Sequence, residues 1–345
     1  MKEFGSDFHF IDSFSSKRAH LTDVYHNAVL LADGRQCIVA LIRQYGWKRM
    51  WMPDYFCYEV ITTIVEQTGI TMMYYPDLPG GDDGKVLEAL PYQESDVLFR
   101  VNYFGMRNFR SNKSVPVPVI EDHSHDLLGR WALYSDADWC IASLRKSMPL
   151  PEGGMMWSPK GHQLTIELNS SEENEKIAAI RWEGMEMKKD YLEGGDVSKE
   201  DFRRRYTETE EWFDTAEPSL IDERSRMVVA EELDINSWLR AKRRNWEILK
   251  ELTEQEHCDI LVPEHESCTM FSLVVLLEDK YQRDKVRRQL IASSVYPAIL
   301  WAVPDDASAE AKDISNRMLS IHCDGRYAKD DMRVLADIIH QSLKA

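Results

Sequence analysis

The sequence lacks long hydrophobic runs and lacks cysteine pairs at metal-ligand spacing. No segment approaches the roughly 18 consecutive apolar residues that a membrane helix needs, and residues 1–7 contain no apolar signal core. The six cysteines form no CxxC pair, which argues against the common zinc-binding and disulfide-exchange patterns. We therefore expect a cytoplasmic protein with reduced thiols, without a membrane segment and without a bound metal.

Positive charge is also scarce, and glycine-rich phosphate motifs are missing. The chain has 42 lysines and arginines against 59 acids, a formal charge of −17, which disfavours binding to nucleic acid. Two short basic blocks, residues 203–205 and 242–244, have acids nearby and are expected to be solvated helix faces. Because neither G-x-G-x-x-G nor G-x-x-x-x-G-K-[ST] occurs, a nucleotide-using α/β protein has little support.

The first half of the chain alternates between helical and strand-like patterns. Apolar spacing predicts helices over residues 34–46 and 58–68. Short β-rich runs predict strands, which are expected at 49–52, 71–75, 96–101, 115–120 and 139–142. Such alternation is typical of an α/β domain with a mainly parallel sheet, in which ligands bind beyond the carboxyl ends of the strands.

The composition and the predicted elements change twice in the second half of the chain. Residues 171–253 are charged and poor in proline and glycine, and they predict long helices broken near Gly194 and Pro218. Beyond them the pattern predicts shorter elements, namely strands at 271–277, 298–303 and 318–322 and helices at 280–293 and 329–343. We expect a large domain over residues 1–250 and a small α+β domain over 251–345, which fits the length of 345 residues.

Two residues carry the strongest chemical signal. The apolar run 115–120 leads into Asp122, and the run 139–142 leads to Lys146 beside a Gly-Gly turn. Pyridoxal phosphate (PLP) chemistry needs a lysine amine that bonds to the cofactor aldehyde and an acid that keeps the pyridine nitrogen protonated. The competing interpretations are a surface lysine and a strand-end acid that caps a helix.

A resemblance to a known family rests on several segments in order. They are Gly34-Arg35 at a helix start, residues 53–57 (PDYFC), residues 119–125 (VIEDHSH), residues 143–146 (SLRK) with Glu152-Gly153-Gly154, residues 296–301 (YPAILW) and residues 324–327 (DGRY). Together they resemble the DegT/DnrJ/EryC1/StrS family of PLP-dependent aminotransferases. The resemblance implies fold type I, with a mainly parallel seven-stranded sheet between helices and a small C-terminal α+β domain.

The resemblance implies roles for the catalytic pair and for one histidine. Lys146 would hold PLP at rest and, once freed, would shuttle a proton. Asp122 would pair with the pyridine nitrogen. His125 would lie near the ring face or the phenolic oxygen, although a structural histidine is the alternative.

The remaining candidates concern the phosphate and the ring. Gly34 and Arg35, at a helix N-terminus, are expected to bind the phosphate, unless Gly34 only makes a turn, and Ser143 could add its hydroxyl. Tyr55 and Phe56 could stack on the ring or pack in the core. Asn102, which follows the 96–101 strand, is a further candidate with the same ambiguity.

Two departures from the family pattern stand out. Many members have a serine five residues before the lysine, whereas Ser143 lies three before Lys146, which leaves its phosphate role open. The family's Gly-x-Asn-x-Arg segment, which reaches the partner subunit's cofactor, is not visible, and residues 222–240 occupy its expected region.

The resulting expectation is a PLP-dependent aminotransferase and homodimer. Glutamate is the expected amino donor, and the acceptor is a keto compound such as a nucleotide-linked keto sugar. One alternative is a non-catalytic binding or regulatory protein on the same fold. Sugar dehydration ranks lower, because family members that dehydrate replace the lysine with histidine and this chain has Lys146.

Overall fold

A computed structural model describes residues 2–12, 19–254 and 258–344. Its strands are β1 (Phe4–Gly5), β2 (Val29–Leu31), β3 (Arg49–Pro53), β4 (Thr71–Tyr75), β5 (Asp96–Val101), β6 (Val119–Asp122), β7 (Trp139–Ser143), β8 (Gly154–Trp157), β9 (Asp259–Ile260), β10 (Leu273–Leu276), β11 (Val295–Tyr296) and β12 (Met318–Ile321). Within those ranges, no helix combines the length and the apolar character that crossing a bilayer demands.

Helices separate and cover these strands. They are α1 (Leu21–Val24), α2 (Gly34–Tyr45), α3 (Tyr58–Thr68), α4 (Gly84–Ala89), α5 (Arg130–Tyr134), α6 (Leu144–Ser147), α7 (Glu172–Glu193), α8 (Lys199–Thr215), α9 (Glu223–Met227), α10 (Ile235–Thr253), α11 (Lys280–Ala292), α12 (Ala309–Arg317) and α13 (Lys329–Lys344). A 3₁₀ turn covers Tyr103–Gly105, and a π-helical turn covers Val228–Glu232.

The central sheet has seven strands in the order β2-β8-β7-β6-β5-β3-β4. Strands β4, β3, β5, β6 and β7 run parallel, and β8 runs antiparallel to both of its neighbours. Strands β5, β6, β7 and β8 are buried throughout and rich in apolar residues, as expected where a sheet is covered on both faces. The carboxyl ends of β6 and β7 therefore lie side by side, with the β7–β8 connection next to them.

Local sequence explains why α2 begins at this edge of the sheet. The Asp33 side chain accepts a hydrogen bond from the Arg35 N–H and caps the helix, and Gly46 in the left-handed region ends it. Residues 36–42 are all buried, so the helix packs tightly against the sheet and its N-terminus is held in place.

A second sheet lies in the C-terminal part of the chain. Strands β12, β10 and β9 form an antiparallel sheet, whose apolar residues pack against α11 and α13. The N-terminal strand β1 pairs in parallel with β11. The first residues of the chain are thus tied to the C-terminal part of the structure.

Several sequence-based boundaries are wrong. The strand predicted at 115–120 begins only at Val119, because Pro116 and Pro118 lack the N–H that a ladder requires. Residues 298–303 form no strand, apart from a bridge of Ala298 to Ser320. Instead, Trp301 turns into a buried aromatic cluster with Tyr55 and Phe56.

The expectation of two solvated basic faces holds for residues 203–205 and fails at Lys242 in the other block, whereas Arg244 is exposed. Arg203 and Arg204 are exposed, and Arg205 pairs with Glu183. Lys242, however, is buried and donates to the backbone carbonyl of His125 at 3.2 Å. The charge pattern could not predict which basic block is exposed, because the burial of Lys242 depends on how α10 packs against the rest of the protein.

A buried acid lies in the connection between β7 and β8. Glu152 is fully shielded, and its Oε1 accepts the Asp222 N–H at 2.7 Å. Burial raises the pKa of Glu152 to about 8, although the Asp222 hydrogen bond opposes the shift. The folded protein therefore holds a proton that the unfolded chain releases near the ordinary value of 4.5.

This shift predicts a pH-dependent stability. We expect the free energy of unfolding to fall by up to roughly 1.4 kcal/mol per pH unit as the pH rises from 4.5 towards 8. Glu152→Gln, which carries no titrating proton, should flatten that slope in urea unfolding followed at several pH values. Glu175→Gln, at an exposed site on α7, is the control; equal slopes in both variants would contradict the assignment.

Candidate active site

A small cavity lies at the carboxyl edge of the central sheet. Its volume is about 50 Å³, which is room for one or two water molecules. It is lined by Asp33, Gly34, Arg35, Ile38, Phe56, Val60, Asp122, Ser124, Ile141, Ser143, Arg145 and Lys146. Six residues singled out from the sequence meet here, namely Gly34, Arg35, Phe56, Asp122, Ser143 and Lys146.

Asp122 is fixed by a short chain of hydrogen bonds. Its Oδ1 accepts the Ser124 N–H at 2.8 Å and the Ser124 hydroxyl at 2.5 Å. The Ser124 Oγ in turn accepts the Ser143 N–H at 2.8 Å. Among the residues that the structure describes, Oδ2 of Asp122 has no hydrogen-bond or ion-pair partner, so one oxygen of an oriented carboxylate is left for a ligand.

Lys146 lies on the short helix α6, directly after β7. Its side chain is half-buried, and its Nζ lies 5.8 Å from the centroid of the Trp301 ring. Within the described ranges the ammonium has no carboxylate partner within ion-pair distance. An amine without an ion-pair partner is available to bind a ligand in the cavity.

His125 presents one defined tautomer. Its Nδ1 accepts the Phe104 N–H at 3.1 Å, so the neutral ring carries its proton on Nε2. Burial lowers the pKa of His125 well below its usual value, and the cations of Lys146 and Lys242 add to the effect. The ring lies nearly parallel to Trp301, with centroids 5.9 Å apart. His125 is therefore a neutral hydrogen-bond donor beside Lys146.

Close backbone packing shapes the other end of the small cavity. A Cβ on Gly154 would lie 2.2 Å from the Asp33 carbonyl oxygen, and a Cβ on Gly34 would lie 3.0 Å from the Ser143 Cβ. Only glycine at these positions lets the start of α2 approach β7 and β8 so closely. The amides that begin α2 and the Ser143 side chain consequently line the same cavity.

Charged side chains surround the start of α2. Arg145 donates to Glu210 of α8 through both terminal nitrogens, at 3.0 and 2.7 Å, and its Nε lies 3.3 Å from Asp33. Arg181 of α7 reaches the same Glu210 at 3.1 Å, and Arg35 reaches it at 3.4 Å. Burial works against ionisation, but these three guanidinium groups lower the pKa of Glu210 to about 2.

A larger cavity of about 360 Å³ adjoins the small one, since Arg145 and Lys146 line both. Its walls come from the N-terminal segment, from α7 and α8, and from the C-terminal part of the chain. The polar lining includes Asp7, His125, Arg145, Lys146, Arg181, His322 and Arg326, and apolar side chains such as Phe8 and Phe271 complete it. A space of this kind suits a small polar molecule that must reach Lys146.

Two residues predicted from the sequence lie outside both cavities. Tyr55 is fully buried, and its hydroxyl donates to the Leu300 carbonyl. The side-chain Oδ1 of Asn102 accepts the Arg107 N–H at 3.2 Å and stabilises the turn after β5. For Tyr55 and Asn102 the structure therefore shows packing and turn roles.

Sequence reasoning missed Asp33, Glu210 and Arg181 at this site. Asp33 could have been noticed as the helix cap next to Gly34. Arg181 and Glu210 gave no signal, because they stand in the charged helical region that was expected to face solvent.

Comparisons with known proteins were made on sequence and on structure. No protein-family profile matches the sequence, and no curated protein matches it. Solved structures do match. PseC of Helicobacter pylori, an aminotransferase involved in the biosynthesis of pseudoaminic acid, aligns with a TM-score of 0.64 at 13% identity, over 99% of this chain and 100% of that one.

Two further structures agree with this alignment. A DegT/DnrJ/EryC1/StrS aminotransferase from Brucella abortus matches with a TM-score of 0.63 at 13% identity, covering 92% of this chain and 86% of that one. 3-Amino-5-hydroxybenzoic acid synthase matches with a TM-score of 0.65 at 13% identity, covering 94% and 88%. At such low identity these matches establish the fold, and they confirm the predicted fold type I.

Proposed function

We propose that this chain is a PLP-dependent aminotransferase of the DegT/DnrJ/EryC1/StrS family. One observation carries the proposal: Lys146 and Asp122, singled out as a catalytic pair, line one cavity at the carboxyl edge of the central sheet. The aminotransferases that share the fold support it. A carboxylate and a lysine on neighbouring strand ends give an acid and an amine that PLP chemistry requires.

The residues present suit PLP at three points. The unpartnered Oδ2 of Asp122 would accept the pyridine N–H, and the Nε2–H of His125 would donate to the phenolic oxygen. The phosphate would lie at the start of α2, near the Gly34 and Arg35 amides, the Ser143 hydroxyl and the Arg145 guanidinium. A helix N-terminus and nearby arginines are a suitable environment for a dianion.

When bound, PLP supplies a protonated ring that accepts the electron pair released at the amino carbon. Lys146 would hold the aldehyde carbon of PLP at rest. Once freed by the amino donor, its amine would carry the proton from the donor carbon to C4′ of the cofactor. Asp122 would keep the ring nitrogen protonated. The stacked rings of His125 and Trp301 keep water away from this end of the cleft.

The substrates follow from the family resemblance and from the larger cavity. Glutamate is the proposed donor, and a small keto compound, such as a nucleotide-linked keto sugar, is the proposed acceptor. The positive side chains of Arg145, Arg181 and Arg326 in the larger cavity suit anionic groups on either molecule. We propose a homodimer, in keeping with the same resemblance, and a cytoplasmic location, in keeping with the sequence composition. Residues 1–250 and 251–345 are the proposed domains of each chain.

The proposal is tested by cofactor uptake. The purified protein should turn yellow with PLP, and the colour should change when glutamate is added, because the amino group passes to the cofactor. Aspartate and alanine serve as comparison donors. A protein that stays colourless and binds no PLP would instead support a non-catalytic role on this fold.

A further inference from the structure

The start of α2 combines cations with carboxylates from the chain itself. Arg35, Arg145 and Arg181 all reach Glu210, and Arg35 also pairs with Asp214. Asp33 accepts the Arg35 N–H at 2.8 Å. This N–H belongs to the first turn of the helix, where it would otherwise be available to a bound anion. The cations and the amide beside the place suited to a phosphate are thus already paired with internal anions.

Charge argues that one of the internal anions must give up its contacts with the arginines when a phosphate binds. Like charges at close range repel, so a phosphate dianion and the two carboxylates cannot share the three guanidinium groups without loss of affinity.

The two carboxylates differ in their freedom to move. The Asp33 side chain is only 3% exposed and is fixed by Arg35 and Arg145. The Glu210 side chain is 43% exposed, so it can rotate into solvent without burying its charge. Glu210 is therefore the group that can leave, whereas Asp33 stays.

We propose that Glu210 neutralises the three arginines near the start of α2 in the free protein and is displaced from them when the cofactor phosphate binds, while Asp33 remains and limits the affinity. This inference rests on the proposed function. Glu210 is replaced on the same three arginines by an external anion. Arg35 of α2 contacts Glu210 and Asp214 of α8, and Thr63 of α3 donates to Asp214. Release of Glu210 removes one of these contacts, so the last turns of α8 should loosen as the phosphate enters.

The test compares three variants with the parent protein. Glu210→Gln and Asp33→Asn each remove one negative charge with little change in shape, and Glu211→Gln removes a charge from an exposed neighbour on α8. Equilibrium dialysis would measure affinity for PLP, for inorganic phosphate and for pyridoxal, which has no phosphate. Thermal melting would show that each variant is folded.

We expect Glu210→Gln and Asp33→Asn to bind PLP and phosphate about tenfold more tightly. Pyridoxal affinity should be unchanged in both, and Glu211→Gln should behave as the parent does. Hydrogen exchange in residues 210–215 of the parent should speed up on addition of PLP, since Glu210 then loses its partners.

Other outcomes separate the inference from the function on which it rests. If the parent binds PLP and Glu210→Gln binds it equally or more weakly, Glu210 orients the arginines and the displacement is refuted, while the proposed function stands. If neither parent nor variants bind PLP or pyridoxal, both proposals fail. Unchanged exchange in α8 on loading with PLP would also refute the displacement.

Discussion

Lys146→Ala protein should lose its PLP adduct completely and its aminotransferase rate by at least about 10³-fold. The side chain of Lys146 lines the small cavity with Asp122 and lies free of acids among the described residues. In the proposed mechanism its amine would bond to the aldehyde, and we expect no neighbouring side chain to substitute for it. Borohydride reduction followed by peptide mass spectrometry would locate the modified residue.

Two controls sharpen this expectation. Lys146→Arg keeps a cation beside Trp301 but cannot bond to the aldehyde, so it should fail as fully as the alanine variant. Lys176→Ala, at an exposed site on α7, should be labelled like the parent. A reduced adduct on any lysine other than Lys146 in the parent protein would show that the assignment is wrong.

Asp122→Asn should bind PLP and yet turn over roughly 10²–10³-fold more slowly. An amide keeps the size of the side chain but carries no negative charge, so the pyridine nitrogen loses its proton and the ring withdraws electrons poorly. Single-turnover reaction with glutamate would measure the loss directly, and the adduct on Lys146 should persist.

The hydrogen-bond chain of Asp122 offers a matched comparison. Ser124→Ala removes the hydroxyl that donates to Oδ1 at 2.5 Å but leaves the carboxylate charge, and we expect a loss of less than about tenfold. If Ser124→Ala and Asp122→Asn were equally impaired, orientation rather than charge would explain the role of Asp122. If Asp122→Asn kept the parent rate, the ring-pairing role would be wrong.

Local signals explain which parts of the fold could be predicted. The helices Gly34–Tyr45 and Tyr58–Thr68 are followed by Gly46 and Gly69, which adopt the left-handed conformation. Because glycine favours that conformation, the sequence itself predicts where these helices end. The strand Thr71–Tyr75 was predicted with its observed bounds. Residues 298–303 were predicted as a strand from their apolar character, and that character instead reflects the aromatic cluster around Trp301.

Contacts between distant residues explain what could not be predicted at the site. Asp122 and Lys146 lie near each other in the chain and at adjacent strand ends, so a parallel sheet brings them together. Glu210 meets Arg35 across 175 residues and Arg145 across 65. No local pattern encodes such pairs, because they depend on how α7 and α8 fold back over the start of α2.

The glycine at position 154 limits how the cavity could be redesigned for another ligand. Where the Asp33 carbonyl meets Gly154, two stretches of main chain touch with nothing between them. The gap from the lysine-bearing turn to the first helical amides is therefore set by peptide bond lengths, not by the bulk of any replaceable group. Fitting a longer or shorter ligand would require inserting or deleting residues in the flanking loops, since exchanging side chains cannot alter that spacing.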